Sequence, residues 1–386
     1  MISLRNSLIS HAAFFERHFL EKCTIRARRT LYSAGSIGLD AYQDTREKIK
    51  SQFGGIEDKF KTKMTEYTNT DANSTIFTED LKNMVHLVEN EEVSLVEQMI
   101  KKFAKQNREM RFGSFVFGPV IMRMYYHLNM PVAALEMFKD PELEGFFDQL
   151  VTFQILMDLL LVNDMDKEVI EVFDMIKFKQ LQGSKYPKNA VVLVLAACYK
   201  LNTTESFEYM KTLYNDLNKC GHIPMRRAGT FAAALAIEQN APHIALEILT
   251  SMKKQSYVTI RNLKMSALAA LGRPEDTLSI LRAVLEFDGT SSIKHTFDKE
   301  TVRKVAEAIE MLNNPVLKEE FDRIIKQLHY LGHISEEPLS KQLWAEISGS
   351  PKPWKLQQEI PKFGRQPNYS NYPNKQTQRP GLKDMA

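Results

Sequence analysis

The chain is poor in cysteine and tryptophan and has no long uncharged apolar run. Its three cysteines, Cys23, Cys198 and Cys220, form no CxxC pair and no Cys/His cluster. That spacing excludes a disulfide framework and the usual structural zinc patterns. Cys198, inside an apolar stretch, reads as a small buried side chain. A membrane-spanning helix needs about 20 apolar residues; the most hydrophobic stretch, Val191 to Cys198, is far shorter. Alternating β-branched runs bounded by hairpin turns are scarce. Walker loops, GxSxG and HExxH are missing. Asp158, Asp164 and Asp166 lie close together, but they straddle a helix end and its turn, where aspartate serves as a cap. No enzymatic activity, metal or cofactor is therefore expected.

What the sequence has instead is a repeat. Residues 151–177, VTFQILMDLLLVNDMDKEVIEVFDMIK, read as two short amphipathic helices joined by a tight polar turn. The same plan recurs on both sides. A small or medium residue marks the close approach in each second helix: Ala134, Val169, Ser206, Ala245 and Thr277, separated by 35, 37, 39 and 32 residues. Each follows a turn rich in Asn, Gly or Pro, as at Asn129-Met130-Pro131, Asn163-Asp164 and Gly272-Arg273-Pro274, because a helix must stop and restart within a few residues. One helix pair cannot bury its own apolar face, so neighbours must stack. The expected fold is all-α, an α-solenoid of about seven stacked helix–turn–helix units over residues 76–331. The first unit fits Leu81 to Phe103 and the last fits Thr301 to Leu331.

The ends differ from the middle. Residues 1–31 carry six cations against two carboxylates, with frequent Ser and Thr. That composition fits a mitochondrial transit peptide over 1–32, with a processing site near Arg28-Arg29-Thr30-Leu31; an ordinary basic amino terminus is the alternative. Residues 33–75 read as a polar linker with a little helix near Tyr42 to Phe53. Residues 332–386 read as a disordered basic tail, rich in Gln, Asn, Pro and Lys. In it Trp354, Phe363, Tyr369 and Tyr372 alternate with cations, a pattern that also suits stacking on unpaired bases. The tail from Pro351 holds seven cations against two carboxylates; since the whole chain is +3, residues 32–350 balance near −6. An array that binds a polyanion must then gather its positive charge locally.

The 151–177 unit resembles the pentatricopeptide repeat, in Val151-Thr152-Phe153-Gln154, Leu156-Met157-Asp158, Val172-Phe173 and Met175; the unit from Val258 is similar. Phe117-Gly118-Pro119, Gly145-Phe146-Phe147, Cys198-Tyr199-Lys200-Leu201-Asn202 and Glu205-Ser206-Phe207 resemble a mitochondrial branch of that family. Tetratricopeptide repeats share the plan but want a tryptophan signature, and Trp344 and Trp354 lie outside the repeats. The resemblance implies binding of single-stranded mitochondrial RNA on the hollow side lined by the first helices.

It also implies which residues face the ligand. The base-reading fifth position falls on Pro119, Gln154, Val192, Thr230 and Asn262, of which Thr230 and Asn262 suit the family's code. Its partner position falls on Ser114, Gln149, Pro187, Met225 and Tyr257. The base-clamping second position falls on Val116, Val151, Asn189, Arg227 and Thr259. Arg226, Arg227, Arg261 and Lys264 are candidates for phosphate contacts. The candidate RNA-binding set is thus Val116, Val151, Gln154, Arg226, Arg227, Thr230, Arg261, Asn262 and Lys264.

Two functions fit. One is a non-catalytic matrix factor that binds single-stranded transcript and supports its processing, maturation or stability. The other is a protein scaffold docking on a ribosome or an RNA-processing enzyme, which the acidic balance of 32–350 favours. The first requires that the hollow side be open to a strand.

Overall fold

The structure is a computed structural model describing residues 30–69, 74–110, 115–287 and 296–348. The transit-peptide expectation for 1–29, Ser114 and the tail from 349 lie outside the described residues.

Among the described residues seven helical hairpins follow one another. Their helices are α4 (Thr78–Leu87) with α5 (Val93–Met110), α6 (Gly118–Leu128) with α7 (Pro131–Lys139), and α8 (Leu150–Val162) with α9 (Asp166–Lys179). Then come α10 (Lys188–Leu201) with α11 (Thr204–Lys219), α12 (Arg226–Glu238) with α13 (Pro242–Thr250), and α14 (Val258–Ala270) with α15 (Thr277–Phe287). The last pair is α16 (Lys299–Met311) with α17 (Pro315–Tyr330). First helices pack on first helices of the next hairpin, from α4 through α16, and the second helices α7, α9, α11 and α13 each pack on the first helix of the following hairpin. The chain is an all-α solenoid, as its periodicity implies.

The sequence explains the hairpins locally. From the second hairpin to the seventh, each internal turn contains one left-handed residue: Asn129, Asp164, Asn202, Asn240, Gly272 and Asn313. Gly, Asn and Asp tolerate that conformation best, so their recurrence sets the repeat. The small anchors Ala134, Val169, Ser206, Ala245 and Thr277 are all buried. Ser206 and Thr277 donate their hydroxyls to the carbonyls of Cys198 and Pro274, so neither is an unpaired polar group. Polar rungs join residues one repeat apart: Asn189 to Gln154 (2.9 Å), Tyr209 to Asp174 (2.7 Å) and Tyr126 to Asp158 (2.8 Å).

The segment expected to be a linker is folded. Residues 33–69 form α1 (Ala34–Ile37), α2 (Leu39–Phe53) and α3 (Glu57–Asn69). The polar composition misled because only a narrow stripe is apolar: Ile37, Leu39, Tyr42 and Met64 are buried, while most other side chains face solvent. Leu31 and Tyr32, assigned to the transit peptide, are buried in the same core and belong to the folded unit. The tail assignment is corrected likewise over 332–348. After α17 the chain pairs in parallel, β2 (Ile334–Ser335) against β1 (Phe297–Asp298), and then forms α18 (Leu339–Leu343).

Arg46, on α2, locks this amino-terminal layer. Its guanidinium is buried and donates to the carbonyls of His86 (2.7 Å) and Val88 (2.8 Å) at the end of α4, and to Glu89 (2.7 Å). Arg46→Leu leaves two buried carbonyls without their donor. We expect a loss of about 2–3 kcal/mol, measured as a lower urea midpoint with unchanged slope.

Candidate nucleic-acid interface

The first-helix face, where a ligand was expected, is covered by the chain's own ends. From one side α2 lies on α4 and α6, and α1 lies on α8. From the other, α18 lies on α12 and α14. The two meet: Ile347 N–H donates to the Leu31 carbonyl (2.8 Å), and Ser33 N–H donates to the Ile347 carbonyl (3.1 Å). The Ser36 hydroxyl donates to the same carbonyl at 3.0 Å. Residues 31–53 and 339–347 therefore form one strap across the face.

Side chains of the first helices hold this strap at its helix ends. Arg123, on α6, donates to the carbonyl of Ile37, the last residue of α1, at 2.8 Å. The turn there needs Gly38: its φ is +76° and a Cβ would meet the Arg123 guanidinium at 3.0 Å. Arg227, on α12, donates to the carbonyls of Gln342 (2.8 Å), Leu343 (2.7 Å) and Ala345 (2.6 Å), capping the carboxyl end of α18. Cation and helix terminus are complementary in charge as well as in hydrogen bonding. Burial and the neighbouring Arg226 push the Arg227 guanidinium down to about 10, so it stays charged at neutral pH. Above it the Trp344 ring packs on Phe231 (5.1 Å between centroids) and Tyr199 (6.5 Å).

This arrangement relocates most of the expected site residues. Thr230 is fully buried and bonds the Arg227 carbonyl of its own helix (2.9 Å). Asn262 is also fully buried; its amide donates to Gln342 Oε1 (3.1 Å) and its oxygen accepts from Asp298 N–H (3.1 Å). Neither presents an edge to a base in this state, which corrects that expectation. Gln154 is tied to Asn189 of the next hairpin. Lys264 is half-buried and held below the usual lysine range by burial. Val116 and Val151 remain about half exposed, at 50% and 46%. Arg226 and Arg261 lie at the amino-terminal ends of α12 and α14, and Arg226 stacks on Tyr257 at 4.0 Å. Sequence reasoning missed Arg123, Tyr199, Phe231 and Trp344. The signal for the last was present: Leu339, Leu343, Trp344 and Ile347 form an apolar set at near-helical spacing within an otherwise polar segment.

A second surface is open. Residues 185–264 hold eleven Lys and Arg against five Asp and Glu, a local balance of +6 inside a region that is acidic as a whole. Lys185, Lys188, Lys219, Lys253 and Lys254 are exposed. They sit in or beside the connections between the third, fourth, fifth and sixth hairpins. Along that rim a cavity of about 270 Å³ is lined by Tyr214, Pro224, Arg226, Lys253, Lys254 and Tyr257 among others, with no carboxylate in its lining.

Asp158, on α8, caps no helix end: it lies mid-helix, fully buried, beneath the strap junction. It accepts from the Tyr126 hydroxyl, while its Oδ1 has no partner. Burial raises its carboxyl to about 7, against the opposing effect of the Tyr126 hydrogen bond and the nearby Tyr32 backbone. Asp166 opens α9 without capping it, and burial lifts its carboxyl to about 6. Cys198 is buried, as its context implied. Among the described residues no helix is long and apolar enough to cross a membrane.

No family model matches the chain. Whole-chain comparison does find relatives. The human mitochondrial pentatricopeptide repeat-containing protein 2 is 30% identical over 328 residues, covering 83% of this chain and 82% of its own length. The mouse protein is 30% identical over 324 residues, covering 83% of each. The zebrafish (Danio rerio) protein is 29% identical over 330 residues, covering 83% of this chain and 82% of its own. Together with the stacked hairpins, these place the chain in the family of the mitochondrial pentatricopeptide repeat-containing protein 2.

Proposed function

We propose that the protein is a non-catalytic, single-stranded RNA-binding factor of the mitochondrial matrix that acts in transcript processing, maturation or stability, and through it in respiratory-chain function. The observation that carries this reading is the basic rim of residues 185–264. Its cations stand beside exposed aromatic surface and have room for a phosphate backbone. Lys185, Lys188, Lys219, Arg226, Lys253 and Lys254 have no carboxylate within ion-pair distance among the described residues. Neutralising phosphates releases counterions, so such a rim binds RNA in a salt-dependent way. Tyr257, 37% exposed under Arg226, adds a stacking surface.

The test is Lys253→Gln/Lys254→Gln. We expect weaker binding of unrelated single-stranded RNAs by a similar factor. The plot of log affinity against log salt should flatten by about 1.4, two contacts at about 0.7 each. An unchanged slope removes the rim from the interface.

A second reading is supported by a different observation. The first-helix face already holds a largely helical peptide, the chain's own strap, through apolar anchors and an arginine on its helix end. A face built for that can dock a partner's segment, which suits a scaffold on a ribosomal or RNA-processing protein. Failure to bind RNA at low salt would leave this reading alone.

A further inference from the structure

The occupant of the first-helix face has the features of a nucleotide. Trp344 sets its indole against Phe231 and Tyr199 at tilts of 58° and 39°, an aromatic seat that an unpaired base can also take. The last carbonyls of α18, the negative end of a helix, are gripped by Arg227 as a phosphate would be. Asn262 bonds a side-chain oxygen of Gln342, a polar edge like that of a base. We propose that the carboxyl-terminal part of the strap, Leu339–Ile347, is a displaceable stand-in for single-stranded RNA. It closes a nucleotide site formed by Tyr199, Arg227, Phe231 and Asn262, and RNA enters that site as the strap lifts. This rests on the RNA-binding reading above.

The two halves of the strap are unequally fastened. α2 is fixed by buried Tyr42 and Arg46 and by the Tyr42 hydroxyl on the Val85 carbonyl (2.8 Å). α18 has five residues, too few to persist alone. Around it, Lys341, Ala345 and Glu346 are exposed, Trp344 is half-buried, and the pairing of Ile347 with Leu31 and Ser33 is a single bridge. The strap enters from β2 through the exposed Glu336 and Glu337, where a hinge costs little. A strand need not arrive from afar either. Arg226 lines the rim cavity and its neighbour Arg227 holds the strap, so RNA on the rim is one residue from the closed site.

The experiment uses the full-length chain with Trp354→Phe, which leaves Trp344 as the single tryptophan and the strap intact. A fluorescein-labelled single-stranded RNA of mixed sequence is titrated in, with anisotropy and tryptophan emission read together. The expected result is a red shift of Trp344 emission, as the indole leaves Phe231 for water, with the same midpoint as the anisotropy. Trp344→Ala, in the wild-type background, should bind about tenfold more tightly or better, because a site open a tenth of the time loses that factor in apparent affinity. A synthetic peptide of residues 338–348 should reverse the gain. RNA binding that leaves Trp344 emission unmoved, or equal affinity for wild type and Trp344→Ala, overturns the strap proposal and leaves rim binding standing. No binding by any form at low salt overturns both.

Discussion

Alanine at Phe231 is expected to lower the stability of the array by about 3–5 kcal/mol, the usual cost of removing a fully buried aromatic ring. Phe231 stands at one node of three elements. It is on α12, it faces Tyr199 on α10 at 5.8 Å, and it carries Trp344 of the strap. Truncation leaves a cavity between two first helices that pack on each other, and it takes away the ring under the indole. Apart from the strap, each hairpin packs on its neighbours, so most of the loss stays local. Amide exchange should accelerate most in α10, α12 and α14 and least in α4 and α6. Trp344 emission in the native state should already be red-shifted, because its seat is gone. A double-mutant cycle with Trp344→Ala should return about 1 kcal/mol of coupling for the aromatic pair. A uniform exchange increase along the chain would mean that the hairpins unfold as a single unit.

The parts legible in the sequence were those fixed by local chemistry. Asn129, Asn202, Asn240 and Gly272 announce hairpin turns because a left-handed residue ends a helix, whatever lies elsewhere in the fold. Buried anchors such as Ala134 and Ala245 recur at repeat spacing for a similar reason. What stayed hidden depends on contacts across hundreds of residues. Nothing near Arg227 says that its guanidinium meets carbonyls more than a hundred positions away. Position counting put Thr230 and Asn262 on the ligand side; both are buried, and Asn262 meets a polar side chain. That side chain belongs to Gln342 rather than to a base. Residues 33–69 were misread for a related reason. A layer packed on one side needs few apolar residues, and Tyr42, Arg46 and Met64 do not make a visible pattern among so many charges.

Asparagine at Asp158 is expected to stabilise the protein above neutral pH and to lose that advantage in acid. The folded chain raises this carboxyl to about 7 from an ordinary value of 3.8, chiefly because burial penalises the charged form. Between about pH 4 and 7 the folded chain therefore keeps a proton that the unfolded chain releases. Stability from this group falls as pH climbs through that window and is flat above it. Three units correspond to about 4 kcal/mol in the limit. The amide has no charge to desolvate and keeps an oxygen for the Tyr126 hydroxyl. Its N–H₂ replaces the unpaired Oδ1 and brings a desolvation cost of its own, about 1–3 kcal/mol. A net gain of about 2 kcal/mol at pH 8 should result, shrinking to nothing or reversing near pH 4. Urea unfolding of wild type and Asp158→Asn across that range measures it. A variant less stable than wild type at pH 8 would mean that burying the unpaired amide costs more than burying the carboxylate.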